Sequence, residues 1–188
     1  MNLEHGGRVI ASQTAAGGWS LLQFPVYRAY PPGGYTLRTP TEAYTFRVTH
    51  SLPAPDDPPA NADLSFGPLR LLGYAIDRGR AEPGDSFSLW LFWQASERPP
   101  ENYTVFVHLL GADNTVWATD DGYPAETPTT ALWPGQSITD RHRLRVPDDM
   151  PPGWYSVEVG LYDLETGERL RLPDGGDRAL IPGFEVRR

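Results

Sequence analysis

The chain has no cysteine and no lysine, and each absence closes a class of chemistry. Without cysteine there is no disulfide, no thiolate nucleophile, no Cys-ligated zinc and no iron–sulfur cluster. Without lysine there is no Schiff base, no P-loop lysine and no lysine general base. All 16 basic residues are therefore arginine, set against 24 acidic ones, for a net charge of −8. No nucleic-acid partner is expected, because phosphate recognition needs a basic patch that releases counterions. Long apolar runs are missing too. The longest, residues 89–93, falls far short of the roughly 20 residues that span a bilayer. The opening Met1-Asn2-Leu3-Glu4-His5-Gly6-Gly7 has neither a basic nor an apolar leader region, so no signal peptide is expected. It reads as a piece of a longer protein or as a cytosolic chain.

Helix has little room as well. Glycine and proline together make up 39 of 188 residues, and the longest stretch free of both is 85–98. Its apolar pattern has period two, with Phe87, Leu89, Leu91 and Trp93 on one face and Ser88, Trp90 and Phe92 on the other. Trp90 and Trp93 are expected in the core or between sheets. The same alternation predicts strands at 69–76, 103–110, 115–119, 136–146, 154–163, 168–172 and 180–186, separated by turn residues. Short, evenly spaced strands without helices specify an all-β fold, an immunoglobulin-like β-sandwich of about seven to eight antiparallel strands. One detail points to the immunoglobulin-like kind. Tyr155 opens a strand just after the corner Pro151-Pro152-Gly153, where the tyrosine corner of such sandwiches sits.

Three regions follow: residues 1–50, a Pro-rich linker over 51–66, and the sandwich over 67–188. The first region echoes the last. Leu22 to Val26 followed by Pro31 to Leu37 aligns with His142 to Val146 followed by Pro151 to Val157 at a constant offset of 120 residues. Residues 1–50 are either the remnant of a preceding similar module or extra strands, at 20–26, 34–39 and 44–49, that pack on the main sandwich. An exposed edge strand there would allow a homodimer by strand addition.

Several phrases in the main domain are distinctive. They include Leu71-Leu72-Gly73-Tyr74, Pro83-Gly84-Asp85, Leu91-Phe92-Trp93-Gln94-Ala95 and Tyr103-Thr104-Val105-Phe106-Val107-His108-Leu109. Further on come Trp133-Pro134-Gly135, Pro151-Pro152-Gly153-Trp154-Tyr155 and Val159-Gly160-Leu161-Tyr162-Asp163. Together they resemble the C-terminal extracytoplasmic β-sandwich module of multi-spanning bacterial glycosyltransferases, enzymes similar to dolichyl-phosphate-mannose protein mannosyltransferases. The resemblance covers about two-thirds of the chain and includes none of the membrane-embedded catalytic part. It implies a non-catalytic accessory module, extracytoplasmic and attached to a membrane protein, whose partner is the parent membrane enzyme or a neighbouring module. It transfers no functional residues.

The residues themselves offer few sites. His5, His50, His108 and His142 have no metal-ligand spacing, His108 reads as a hydrogen-bonded structural residue, and His142 is flanked by Arg141 and Arg143. Asp120 and Asp121 are weak Ca²⁺ candidates, since their spacing does not follow an EF-hand loop. No serine elbow is present and no carboxylate pair carries a glycosidase signature, so no catalytic residue and no cofactor is expected. The remaining candidates are loop aromatics. Trp117, Tyr123, Trp133 and Trp154 are placed to stack on a glycan, against the alternative that rings in a sandwich with six tryptophans fill its core. A carbohydrate-binding module is thus the alternative function, and a small protease-inhibitor-like sandwich is a third reading.

Overall fold

The computed structural model describes residues 2–6, 8–12, 33–48 and 60–187. They form thirteen strands: β1 Asn2–His5, β2 Arg8–Ser12, β3 Gly33–Arg38, β4 Ala43–Val48, β5 Ala60–Phe66, β6 Leu69–Ile76, β7 Arg80–Ala81, β8 Ser86–Ala95, β9 Tyr103–Leu110, β10 Val116–Thr119, β11 Ser137–Arg145, β12 Gly153–Asp163 and β13 Ala179–Val186. Only two short 3₁₀ turns interrupt them, at Pro124–Glu126 and Thr129–Ala131. No helix among the described residues is long and apolar enough to cross a membrane.

The main body is an all-β sandwich. One sheet has the order β10-β9-β12-β13-β7 and the other β11-β8-β6-β5. Neighbours are antiparallel except where the two-residue β7 joins β13 in parallel. The period-two faces meet as their sequence demands. Phe87, Leu89, Leu91 and Trp93 from β8 are all at or below 1% exposure and face Val105, Val107, Leu109, Val157, Val159 and Leu161 from β9 and β12. Removing each such side chain from water contributes roughly 1.5–3 kcal/mol. Aromatic pairs seal the two ends, Phe66 edge-on to Trp93 at 5.9 Å and Phe87 against Phe184 at 4.2 Å. The tyrosine corner is present: Tyr155 donates its hydroxyl to the Pro151 carbonyl at 2.7 Å.

Three expectations need revision. The last seven residues of the stretch read as linker, Ala60–Phe66, form the edge strand β5, with Phe66 fully buried. Ala62, Leu64 and Phe66 alternate toward the core, and that alternation prevails over the proline-rich composition just upstream. The rest of the linker lies outside the described residues. The strand expected at 168–172 reduces to a single bridge between Arg169 and Tyr162, because this segment turns over the outer face of the five-stranded sheet. There the Arg169 guanidinium stacks on Phe106 at 4.1 Å. Trp90, expected in the core, lies on the outer face of β8 beneath the Arg141 guanidinium at 5.5 Å.

The N-terminal residues build a separate sheet, order β2-β1-β3-β4. Two of its strands answer the expected 34–39 and 44–49, whereas β1 and β2 were not foreseen and the expected strand at 20–26 lies outside the described residues. Gly33 opens β3 as Gly153 opens β12, so in the described part of the 120-residue echo the two strands start at the same place. A small core of Leu3, Tyr35 and Val48 forms here, and Leu37 and Trp133 pack against it.

Candidate functional site

Strand β11 explains where polar groups gather. Its residues alternate buried and exposed, so Ile138, Asp140, His142 and Leu144 all face inward while Arg141, Arg143 and Arg145 face out. Two of the four inward positions are therefore charged. Arg141 and Arg143 project away from His142 and do not repel it. Because β11 is an edge strand, its inward polar pair is reachable from the neighbouring sheet, and the chain leaving β10 supplies the partners. Residues 120–122 continue the pairing along β9: Asp120 N–H donates to the Val107 carbonyl, while Val105 and Gly122 exchange hydrogen bonds.

Two histidine clusters result, joined through adjacent aspartates. His142 donates Nδ1–H to the Asp120 carbonyl at 2.7 Å and Nε2–H to Asp140 Oδ2 at 2.8 Å. A backbone carbonyl and a carboxylate both accept, so this pairing favours a hydrogen on each ring nitrogen. It favours the imidazolium, although the side chain is only 5% exposed. Burial is the strongest single influence and opposes that charge. The Asp140 carboxylate and the hydrogen bonds to Asp120 and Asp140 outweigh it, and the imidazole pKa is raised from 6.5 to about 10. Asp120 responds in the opposite sense: the His142 hydrogen bond, helped by the Arg143 N–H at 2.8 Å, holds its carboxyl below the usual range against partial burial.

The second cluster lies on the outer face of the five-stranded sheet. His108 on β9 sits between Glu158 on β12, 2.8 Å from Nδ1, and Asp121, 3.1 Å from Nε2. Glu158 is 3% exposed and takes a further hydrogen bond from Arg178 at 2.7 Å, with Arg169 at 3.6 Å. Burial would raise its carboxyl, but the Arg178 and His108 hydrogen bonds and the Arg169 charge prevail, and its pKa is lowered. Asp120 thus reaches the strand edge of one sheet and Asp121 the face of the other. The dipeptide is an inter-sheet clasp.

A cleft of about 300 Å³ opens beside the clasp, lined by Asp121, Tyr123, Glu126, Asp140, Arg141 and His142 among others. Its wall is a strained turn. Ala125 and Glu126 have φ of +48° and +55°, a conformation that costs non-glycine residues about 1 kcal/mol or more each. Asp140 Oδ1 secures the turn by accepting the Ala125 N–H at 2.8 Å.

The sequence candidates scatter. Tyr123 lines the cleft with Asp120 and Asp121. Both aspartates turn their carboxylates to protein donors, Asp120 to His142 and Arg143, Asp121 to His108 and the Val107 N–H. Among the described residues no group of three or more His, Cys, Asp or Glu is placed to hold a metal ion. Trp117 packs on the main core, edge-on to Tyr155 at 6.4 Å, and Trp133 packs on the small N-terminal core. Those two rings anchor structure and do not form an open stacking platform. Trp154 alone of the four tryptophan and tyrosine candidates is largely exposed, at 67%.

No family model matches the chain. No curated protein matches it either. Among solved structures it is similar to the C-terminal domain of wzt (10% identity, TM-score 0.48, 70% of this chain and 83% of that one). It is similar also to the Pseudomonas fluorescens alkylpurine DNA glycosylase AlkC bound to DNA containing an abasic site analog (14%, TM-score 0.45, 66% and 32%). A third likeness is to a mutant β-glucosidase from Listeria innocua in complex with laminaribiose (16%, TM-score 0.39, 87% and 22%). The chain spans about a third of the length of the glycosylase and about a fifth of that of the glucosidase. At such scores none bears on what this chain does.

Asp140 and His142 were not singled out as a pair from the sequence, although a signal was there. In a strand whose other inward residues are Ile138 and Leu144, two consecutive inward polar positions announce a buried pair. Glu158, inserted between Val157 and Val159, gives the same signal for the outer face of β12, provided something covers that face.

Proposed function

We propose that this chain is a non-catalytic accessory module, an immunoglobulin-like sandwich that works by contact as the soluble extracytoplasmic part of a membrane glycosyltransferase-like protein. The observation that carries the reading is the mutual pairing of acids and bases in the clasp between the two sheets. His142 is held between Asp120 and Asp140, and His108 between Asp121 and Glu158. These are the groups from which acid–base or nucleophilic chemistry would be assembled, and they are spent on one another in fastening two sheets together. The immunoglobulin-like label is supported by the Tyr155 corner, and the setting by the phrases of residues 71–163 that resemble the glycosyltransferase module. Mapping the native transcript across the Met1 codon tests the setting. The expected result is one open reading frame continuing upstream into membrane-spanning segments, and a separate start signal at Met1 would overturn it.

A second reading rests on the cleft. Tyr123 supplies a ring at the wall of this cleft, whose volume of about 300 Å³ is at the lower end of small-molecule pockets. Retardation on immobilised polysaccharides, lost in Tyr123→Ala, would favour saccharide binding there. Equal migration with and without polysaccharide would remove it.

A further inference from the structure

Each edge of the main sandwich is protected against further pairing. β5 carries a register break with Asp63 at φ +53°, β7 has two residues, and β10 has four and a bulge. At the edge of β11 the Asp120 carboxylate takes the Arg143 N–H. These are the usual devices by which proteins stop edge strands from recruiting others. Among the described residues, strand β4 has none of them. It runs Ala43-Tyr44-Thr45-Phe46-Arg47-Val48, pairs with β3 in unbroken register on one side, and leaves residues 43–47 exposed. It contains no proline and no bulge. Its one charge, Arg47, lies on the face away from Tyr44 and Phe46.

We propose that β4 pairs with β4 of a second copy of this chain, antiparallel about a two-fold axis at Thr45. The strand is complementary to itself in that register. Directly opposite residues of an antiparallel pair share a face, so Tyr44 meets the partner's Phe46 and Phe46 meets the partner's Tyr44. Tyr44 is 55% and Phe46 37% exposed in the single chain, and Phe46 already stacks on Tyr35 at 5.6 Å. The pairing therefore extends an existing aromatic row. On the other face Thr45 meets the partner's Thr45, and Arg47 meets the partner's Ala43, so no like charges oppose each other. A one-residue slip would set Tyr44 on the wrong face. An axis at Phe46 would require Val48, which the small core already buries. Five residues per strand, 43–47, make a small interface, of the size class below about 1,200 Å² that forms reversible complexes.

The cysteine-free sequence makes the test direct. Opposite Cα atoms in an antiparallel ladder lie about 4.5–5.5 Å apart, within disulfide range. Mild oxidation of the full chain carrying Thr45→Cys should give a covalent dimer. Ala43→Cys and Arg47→Cys should each stay monomeric alone and cross-link when mixed. Sedimentation of the unmodified chain should show reversible dimerisation with a dissociation constant of about 10–100 µM. Tyr44→Lys should shift that constant at least tenfold while its circular dichroism stays unchanged. Overturning results are a monomer throughout the concentration range, cross-linking at 43 or 47 alone as fast as at 45, or a Tyr44→Lys chain that dimerises like the parent.

Discussion

At the scale of single residues, the outer face of the five-stranded sheet depends on one glycine. Gly160 lies mid-strand in β12 opposite Phe106, where strand glycines usually weaken pairing. Here the space is needed. A Cβ at this position would fall 2.4 Å from Phe106 Cζ and 2.8 Å from the Asp177 carbonyl oxygen. The ring has no room to retreat, because Arg169 stacks on it at 4.1 Å, and the carbonyl is backbone. Gly160→Ala is expected to lower stability by about 1–3 kcal/mol, the usual range for overpacking. Urea unfolding would show this as a reduced midpoint with unchanged slope. A neutral result would mean that the 164–178 segment does not lie on the sheet as described.

At the scale of elements, unbroken apolar alternation made strands legible, and β11 and β13 were placed as well although Asp140 and His142 break the first and Pro182 and Gly183 the second. β6, β8, β9 and β12 were placed within a residue or so at each end except for β8, which stops at Ala95 before the polar Ser96-Glu97-Arg98. The tyrosine corner was legible for the same reason, since Tyr155 falls at a fixed place relative to a turn. Strand β5 was hidden because its alternating Ala62, Leu64 and Phe66 follow directly on a proline-rich stretch that reads as linker, and a bulge after Asn61 shifts its register. β1 carries one core residue, Leu3, and four residues give periodicity too little length to register. The clasp was illegible for a different reason: which loop covers an edge strand is decided by tertiary packing, and spacing along the chain carries no trace of it. The β5 boundary is testable by truncation. A chain beginning at residue 67 removes Phe66, fully buried against Trp93, whereas one beginning at residue 60 retains it. The shorter chain is expected to be less stable by at least about 3–5 kcal/mol, the cost of losing a buried phenylalanine, measured by denaturation of the two fragments side by side. Equal stability would restore residues 60–66 to the linker.

At the scale of the whole molecule, the clasp couples the stability of the sandwich to pH from both sides. His142 has a folded pKa of about 10 against 6.5 when free. A group whose pKa is raised by folding binds its proton more tightly in the folded state. Its contribution is complete below pH 6.5 and is lost as pH rises from there through about 10. Glu158 and Asp120 are shifted the other way, downward from 4.5 and 3.8. Their contribution is present above those values and is lost as pH falls through the lower folded-state values. The two limits together leave a stability maximum on the acid side of neutrality, at about pH 4.5–6.5. The melting temperature of the full chain, followed from pH 3 to pH 11, is therefore expected to peak in that window and decline on both flanks. Below pH 10 the alkaline flank belongs to one buried pair, because the tyrosines with raised pKa values, Tyr44, Tyr103 and Tyr155, ionise only above it. Replacing both partners, as His142→Leu with Asp140→Leu, should flatten it, because no buried charge is then left to titrate or to strand. Replacing Asp140 alone with Asn should instead lower stability near neutrality by about 3–5 kcal/mol, since the imidazolium then loses its counter-charge while remaining enclosed. A melting temperature that holds level or climbs between pH 7 and pH 10 would mean that His142 is neutral in the folded protein. One of its two hydrogen bonds would then lack a donor, and the fastening of the two sheets would have to be sought elsewhere.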